Sequence, residues 1–260
     1  MPQGVKPHGS DRPVALVTGA ARRVGRACAH VLARAGFDLI LTYRTSREEA
    51  QATAASITTE LAPASVDLIQ LDLSCLDEVE RFGASLEARL ARLDVLVHNA
   101  SIYQPRPLAR IDADHAMEMY RVNALAPLLL SRHAAGLLDR CPLPGGGSIV
   151  ALCDMHVLGR PRSHLAAYSM SKAALVEMVR SLARELAPAI RVNGVAPGVV
   201  NFPEEGPESD PIFQRAYVSR VPLGRPGTPR DAAEVVRWLA MDAQYVTGEI
   251  IRVDGGRWLT

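Results

Sequence analysis

Two side chains that could move a proton, Tyr168 and Lys172, lie four residues apart in the stretch YSMSK. On a helix this spacing brings both side chains to one face, one turn apart. A lysine cation beside a phenol favours the phenolate and lowers the tyrosine pKa from its usual value of about 10. The spacing alone is common. Here, however, the pair lies on a predicted helix after the fifth strand, in a chain that also has a nucleotide-type loop. The pair is therefore a candidate acid–base couple.

That loop, TGAARRVG at residues 18–25, directly follows the first apolar run. Gly19 and Gly25 allow backbone N–H groups and a helix N-terminus to approach a pyrophosphate, and Val24 opens the helical pattern. Arg23 stands where many such loops carry a middle glycine, and with Arg22 it would place positive charge beside phosphates. The loop predicts a dinucleotide site. The alternative is an ordinary tight turn with two solvated arginines.

The tip of the second predicted strand contains no acid, although an acid there usually holds the adenosine ribose of NAD. Thr42 is followed instead by Tyr43, Arg44, Thr45 and Ser46. Arg44 and the hydroxyl groups of Thr45 and Ser46 offer charge-assisted hydrogen bonds to a ribose 2′-phosphate. The tip therefore predicts NADPH as the cofactor, in preference to NADH. The alternative is a solvated turn.

Strand-like and helix-like runs alternate along the whole chain. Strands are predicted at residues 14–18, 37–42, 66–71, 94–98, 147–153, 190–196 and 249–253, and helices at 24–35, 48–61, 76–93, 114–138, 169–187 and 231–240. This alternation predicts a parallel sheet covered by helices on both faces, in one α/β domain from residue 13 to 260. Residues 1–12 are expected to form a flexible tail. The Pro- and Glu-rich stretch 199–220 is predicted to be a substrate loop, with a simple surface excursion as the alternative.

Charge and composition exclude several classes of function. The formal net charge of +1 argues against a nucleic-acid or membrane surface. No apolar run reaches the ~18 residues of a membrane span, and no secretion signal precedes the domain, so we expect a cytoplasmic protein with a small-molecule substrate. The four cysteines are scattered, and His98, His156 and His164 fit no common ligand spacing, so no metal is expected.

These motifs together resemble the short-chain dehydrogenase/reductase family over nearly the full length of the chain. The resemblance is carried by the glycine loop at 18–25, Asp72-Leu73, HNAS at 98–101, Asn123, the Tyr168 and Lys172 pair, Pro197-Gly198, and VDGG at 253–256. It implies a Rossmann-like doubly wound sheet and a homotetramer.

The same resemblance implies a role for each matching residue. Asp72 and Leu73 border the adenine, Asn123 organises a proton-relay water, Lys172 holds the nicotinamide ribose, and Tyr168 donates the proton. Further residues are expected to line the cofactor: Tyr43, Asn99, Ala100, Ser101, Pro197 and Gly198.

One departure from the family pattern bears on the substrate. The family places a serine about thirteen residues before the tyrosine, but Met155 has that spacing here and Asp154 precedes it. A carboxylate beside a carbonyl oxygen would repel the charge that develops during hydride attack. A carboxylate beside N–H groups would accept their hydrogen bonds, and a protonated one could pass a proton to a ring nitrogen. Asp154 therefore favours reduction of a C=N bond in an amino-substituted heterocycle. The alternative is a turn or capping residue in a plain ketoreductase.

Within the family, the sequence is similar to the pteridine reductase and dihydromonapterin reductase branch. Arg23, Tyr103 after HNAS, the Asp154–Tyr168–Lys172 set and NGVAPG before the loop carry this similarity. It implies that Tyr103 stacks on a pterin. The other substrate contacts it implies are Arg23, Ser101, Asp154, Tyr168 and Gly198.

Two other functions remain open from sequence. One is an NADPH-dependent carbonyl reductase, such as a 3-oxoacyl-thioester reductase. The other is a nucleotide-sensing or scaffold protein, which would have no need of Asn123, Tyr168 and Lys172 together.

Overall fold

The computed structural model describes residues 12–61, 64–202, 204 and 206–260. The predicted flexible tail, apart from Arg12, lies outside the described residues.

One parallel sheet organises the described part of the chain. Its seven strands are β1 Val14–Val17, β2 Asp38–Tyr43, β3 Val66–Gln70, β4 Val95–His98, β5 Gly147–Leu152, β6 Ile190–Pro197 and β7 Ile250–Val253, in the order β3-β2-β1-β4-β5-β6-β7. Every residue of β1, β2, β4 and β5 is buried, as strands covered on both faces require. The order reverses between β1 and β4, and ligands of such sheets bind at this switch point. The predicted Rossmann-like doubly wound fold is confirmed.

Helices cover both faces of the sheet. They are α1 Arg23–Arg34, α2 Arg47–Glu60, α3 Leu76–Arg89, α4 Ala113–Tyr120, α5 Ala126–Leu138, α6 Ala166–Leu186, α7 Pro211–Val218 and α8 Pro229–Met241. The core has two halves: α1, α2 and α8 contribute side chains to one face, and α3, α5 and α6 to the other. No described helix combines the length and the apolar character needed to cross a membrane. A single chain does not test the expected homotetramer, which stays a prediction.

The long helix predicted at 114–138 is interrupted. Between α4 and α5, the segment Arg121–Leu125 forms a π-helical turn. Pro127 explains the interruption, because it has no N–H to donate to the carbonyl of Asn123, four residues earlier. The backbone nevertheless stays helical from Ala113 to Leu138, so the predicted helix is confirmed in extent, and the wider turn falls on a predicted site residue.

The predicted substrate loop is not irregular throughout, because it contains α7. Asp210 caps this helix by accepting a hydrogen bond from the Ile212 N–H at 2.8 Å, and Pro211 occupies its first turn. The Asp-Pro pair is a helix-start signal within a stretch whose composition otherwise indicates a loop.

A buried arginine holds the C-terminal end of α8 against the sheet. Arg191 on β6 donates to the carbonyl oxygens of Leu239 at 2.6 Å, Ala240 at 2.8 Å and Ala243 at 3.0 Å, and its Nε donates to Gly145 at 3.0 Å. Leu239 and Ala240 lie in the last turn of α8, and their carbonyls have no N–H partner within the helix. Arg191 therefore satisfies several backbone groups that would otherwise be buried without a donor.

We expect Arg191→Met to lower the free energy of unfolding by about 3 kcal/mol, since buried carbonyls left without donors cost about 1–3 kcal/mol each. Urea unfolding followed by circular dichroism measures this change. Arg184→Met, at an exposed position of α6, is the matched control and should change stability by less than about 0.5 kcal/mol. A loss below about 1 kcal/mol for Arg191→Met would show that water replaces these hydrogen bonds.

Candidate active site

The loop after β1 has a shape that only glycine permits. Gly19 has a φ of +64°, and a Cβ atom there would lie 2.9 Å from the Cα of Ala100. A Cβ atom on Gly25 would lie 2.2 Å from the carbonyl oxygen of Gly19. Both contacts are with backbone, which cannot move aside. The loop therefore forms the open, backbone-lined cradle in which a pyrophosphate binds.

Arg23 occupies a conformation that favours glycine. Its φ is +51°, in the left-handed region, at the first residue of α1. This conformation costs a non-glycine residue roughly 1–2 kcal/mol. It explains why related loops carry glycine at this position, and it leaves the Arg23 side chain exposed at the wall of the cleft. Such local strain is a pointer to function.

A cleft of about 430 Å³ lies along the carboxyl ends of β1, β2 and β4. It brings together fourteen of the predicted cofactor residues, namely Gly19, Arg22, Arg23, Val24, Gly25, Tyr43, Arg44, Thr45, Ser46, Asp72, Leu73, Asn99, Ala100 and Ser101. The other four, Tyr168, Lys172, Pro197 and Gly198, do not line this cleft. The glycine cradle and the three arginines fit the phosphates of a dinucleotide.

Two threonines that the sequence interpretation missed hold the cradle in place. The Thr18 hydroxyl accepts hydrogen bonds from the backbone N–H groups of Asn99 at 3.0 Å and Ala100 at 3.1 Å. The Asn99 side chain donates in return to the carbonyls of Thr18 and Gly19. The Thr42 hydroxyl accepts from the Gly19 N–H at 3.3 Å. Thr18 and Asn99 therefore tie the β1 loop to the β4 loop.

The tip of β2 presents Arg44 beside the first turn of α2. Ser46 is the N-cap residue of α2, yet its hydroxyl makes no capping hydrogen bond, and Arg44 is exposed. Both residues line the cleft with Thr45. Tyr43 is buried, with the Arg47 guanidinium 5.9 Å from its ring centre. A helix N-terminus, a guanidinium and hydroxyl groups are the surroundings that a phosphate prefers.

Tyr168 and Asp154 form the centre of the predicted catalytic set. The Tyr168 hydroxyl donates to Oδ2 of Asp154 at 2.8 Å. Oδ1 of Asp154 accepts from the His156 N–H at 2.7 Å and caps the short turn Met155–Leu158. Asp154 is therefore a capping residue and the partner of the phenol at the same time.

The pKa of Tyr168 is raised well above its ordinary value of 10, first by burial and then by the negative charge of Asp154 and the hydrogen bond to it. The expected lowering of this pKa by Lys172 is wrong, because the net shift is upward and Lys172 is not among the groups that cause it. The Lys172 ammonium donates to the carbonyl oxygen of Leu152 at 2.7 Å, and burial lowers its own pKa. Tyr168 is therefore a neutral phenol at physiological pH, and its hydroxyl carries a proton.

Asn123 holds the β4 loop against α6. Its Oδ1 accepts from the Ile102 N–H at 2.9 Å and from Ser101 Oγ at 3.0 Å, and its Nδ2 donates to Ser171 Oγ at 2.9 Å. Ser171, another residue that the sequence interpretation missed, donates to the Tyr168 carbonyl at 2.7 Å. The side chain of Asn123 is thus engaged with protein groups. That Asn123 organises a relay water stays a prediction. The group left for this role is its main-chain carbonyl, because Pro127 has no N–H to donate to it.

Tyr103 packs edge-on against Tyr168, with ring centroids 5.0 Å apart and an interplanar angle of 84°. Its hydroxyl donates to Glu208 Oε1 at 2.8 Å, and Arg162 pairs with the same oxygen at 2.5 Å. Burial and this hydrogen bond raise the pKa of Tyr103. The segment before α7 therefore fixes Tyr103 beside Tyr168. Neither Glu208 nor Arg162 carried a signal in the sequence.

The remaining predicted residues lie apart from the cleft. Pro197 ends β6, and Gly198 lines a separate small cavity with Tyr217 and Asp254. The Cβ position of Gly198 is 3.1 Å from the Cα of Asp254, so this glycine allows two chain segments to approach closely.

The three histidines considered as metal ligands do not form a site. Nε2 of buried His98 is 2.8 Å from the Ser131 hydroxyl, and Nδ1 of His156 is 3.0 Å from the Arg160 carbonyl. Across the described ranges, no group of three or more metal-ligating side chains is brought together.

One family model, two known relatives and one solved structure match nearly the whole chain. A family model described as Enoyl-(Acyl carrier protein) reductase matches residues 19–257. Pteridine reductase 1 of Leishmania tarentolae is 34% identical over 95% of this chain and 97% of that protein. The 3-oxoacyl-(acyl-carrier-protein) reductase FabG of Aquifex aeolicus is 33% identical over 94% of this chain and 96% of that protein. The crystal structure of acetoin dehydrogenase YohF from Salmonella typhimurium has a TM-score of 0.83 at 32% identity, over 96% of this chain and 97% of that chain.

We expect Asp154→Asn to lower the pKa of Tyr168, because the neutral amide removes a negative charge that opposes ionisation of the phenol. The tyrosinate absorbance is titrated against pH, and the signal of Tyr168 is isolated by subtracting a Tyr168→Phe variant in each background. Asp114→Asn, which removes an exposed charge on α4, should leave the titration unchanged. An identical pKa in wild type and Asp154→Asn would show that burial alone sets it.

Proposed function

The chain belongs to the short-chain dehydrogenase/reductase family and is an oxidoreductase that uses a nicotinamide dinucleotide, and we propose that it is an NADPH-dependent reductase of a pterin-type C=N bond. The observation that carries this proposal is the 2.8 Å hydrogen bond between Tyr168 and Asp154. An aspartate takes the place of the family's serine beside the proton donor.

A carboxylate at this position suits an amino-substituted heterocycle. Each oxygen of Asp154 accepts one protein hydrogen bond, and each keeps a further lone pair. Those lone pairs can accept the ring N–H and exocyclic NH₂ of an aminopyrimidine. A simple ketone offers no donor to this carboxylate and would develop negative charge next to it.

The chain's own residues supply the proton side of the reaction. When bound, a reduced nicotinamide dinucleotide supplies the hydride, which adds to the carbon of the C=N bond. The Tyr168 hydroxyl then gives its proton to the nitrogen, which becomes N–H. Asp154, already hydrogen-bonded to Tyr168, stabilises the substrate's N–H groups and orients the phenol. Lys172 lies one turn after Tyr168 on the same face of α6, and in this proposal it would hold the nicotinamide ribose.

Tyr103 provides a flat surface for the substrate ring. Its ring lies next to Tyr168, and 38% of the residue is exposed. Glu208 holds its hydroxyl, so the ring keeps one orientation. An aromatic surface beside a proton donor favours a planar heterocycle over a flexible chain. The 34% identity with a pteridine reductase supports the same substrate class.

The second candidate is a carbonyl reductase acting on a 3-oxoacyl thioester. Asp154 caps the turn Met155–Leu158, and this structural role would be kept whatever the substrate. A relative that is 33% identical is a 3-oxoacyl-(acyl-carrier-protein) reductase. The nucleotide-sensing alternative is disfavoured because Tyr168 is held ready as a proton donor.

We expect Asp154→Ser to lower kcat/KM for dihydrobiopterin, dihydromonapterin or dihydrofolate by about 100-fold, since the variant loses the charged acceptor of two hydrogen bonds. NADPH oxidation is followed with these pterins and with an acetoacetyl thioester. For a carbonyl reductase the same change would leave activity unchanged or raise it.

Tyr168→Phe is the reference for the loss of the proton donor and should abolish turnover of the true substrate. Turnover of the thioester alone, retained in Asp154→Ser, would overturn the pterin proposal. Unchanged reductase activity in Tyr168→Phe would overturn the catalytic role of the tyrosine.

We expect the cofactor to be NADPH, and Arg44→Ala to lower kcat/KM for NADPH about 10- to 100-fold with little change for NADH. The lost group is a charge-assisted donor to the 2′-phosphate, and NADH has no such phosphate. Steady-state kinetics with both cofactors measures the ratio. Arg81→Ala, at an exposed position of α3, is the matched control. A wild-type preference for NADH would contradict the assignment.

A further inference from the structure

A second cavity, of about 680 Å³, lies beside the loop that follows Asp154. The loop between β5 and α6 forms one wall, α7 and the turn after it form another, and Arg257 closes the base. We call it the arginine cavity. None of its lining residues lines the cofactor cleft, so the two are separate binding spaces.

The described lining contains four arginines and neither aspartate nor glutamate: Arg160, Arg162, Arg220 and Arg257. Only Arg162 is paired with a carboxylate side chain in the described part of the chain, Glu208 at 2.5 Å. Arg160 and Arg220 are partly or fully exposed and make no side-chain hydrogen bond or ion pair with any described residue. The cavity therefore carries an excess of positive charge that the described protein groups leave unneutralised.

Arg257 is the clearest sign of a built site. Only 9% of its surface is exposed, and its Nε is buried with no hydrogen-bond partner among the described residues. Its Nη1 donates to the main-chain oxygen of Thr260 at 2.9 Å, and its guanidinium lies 5.5 Å from the centre of the Tyr217 ring. A buried guanidinium is costly unless an anion accompanies it. An oxyanion in the cavity would meet the part of the Arg257 side chain that lines it and would offset the cost of burying this charge.

Short contacts link two lining residues of the arginine cavity to Tyr168 and Asp154. Arg162 lines it and binds Glu208, which holds the Tyr103 hydroxyl, and Tyr103 packs on Tyr168. On the other side, His156 lines the cavity while its N–H donates to Asp154. A molecule whose reactive end lies at Tyr168 would therefore extend its distal end toward the arginines.

We propose that the arginine cavity binds an oxyanion, a carboxylate or a phosphate, at the end of the substrate distant from the reacting bond. This deepens the proposed function and rests on it for the identity of the reactive end. Two sources share this chemistry: a glutamate carried on an aryl tail, and the phosphate of a pantetheine arm. Planar guanidinium groups bind both types of oxyanion with paired hydrogen bonds.

The test measures binding and needs no turnover. Isothermal titration of the NADPH-saturated protein compares p-aminobenzoylglutamate with its dimethyl ester, and 4′-phosphopantetheine with pantetheine. Saturation with NADPH occupies the other phosphate-binding cleft. We expect the charged member of at least one pair to bind at least about 10-fold more tightly than its neutral partner, as loss of a charged hydrogen bond implies. The pair that shows the preference identifies the source of the oxyanion.

The double variant Arg160→Gln/Arg220→Gln should remove that preference, and the corresponding double lysine variant should keep part of it. Arg215→Gln, an exposed arginine of α7 outside the cavity, is the matched control and should bind like wild type. Equal binding of charged and neutral probes by wild type would overturn the proposal. So would a preference that survives in the double glutamine variant.

This result is independent of the pterin assignment. If no pterin is reduced but phosphopantetheine binding depends on the two arginines, the oxyanion site stands and the reductase acts on a thioester. If a pterin is reduced while neither charged probe is preferred, the reductase assignment stands and the oxyanion site is wrong.

Discussion

The hydrogen bond from the Tyr168 hydroxyl to Asp154 is the contact on which the chemistry of this site depends. Asp154 follows β5 and Tyr168 lies in the first turn of α6, so the bond joins the sheet to the helix that carries Lys172. Burial and the carboxylate both keep the phenol protonated. In the proposed reaction Tyr168 therefore acts as an acid with its proton in place, and Asp154 is available to bind donors from the substrate.

Backbone geometry organises the cofactor cleft to a greater degree than it organises the contact between Tyr168 and Asp154. Thr18 and Asn99 bind each other's loops, and this closes the distance between the ends of β1 and β4 until Gly19 is in contact with Ala100. The cradle is thus a consequence of two neighbouring parallel strands ending together at the switch point. The identity of side chains matters mainly at the rim of this cradle, where Arg23 and Arg44 supply positive charge.

Local patterns predicted the sheet, the helices other than α7 and most of the cofactor cleft, because apolar periodicity and a glycine loop are encoded over a few residues. The interruption at Asn123 was also local, and Pro127 was the signal for it. The sign of the Tyr168 pKa shift was not predictable from the four-residue spacing to Lys172. It depends on burial and on Asp154, which only the folded chain brings into contact. The arginine cavity could not be predicted from local patterns either, because Arg160, Arg220 and Arg257 are distant in sequence and line one cavity only in the folded chain.

The charges around Tyr168 also favour one orientation of the substrate. Asp154 places a negative charge next to the phenol, while the arginine cavity places positive charge beyond His156 and Tyr103. A substrate with N–H donors at its reactive end and an oxyanion at the other end satisfies both regions in one orientation only. In the reversed orientation the oxyanion would face the carboxylate and the donors would face guanidinium groups, and both contacts are repulsive. For the proposed substrate, electrostatics would therefore select the orientation before the ring reaches the aromatic surface of Tyr103.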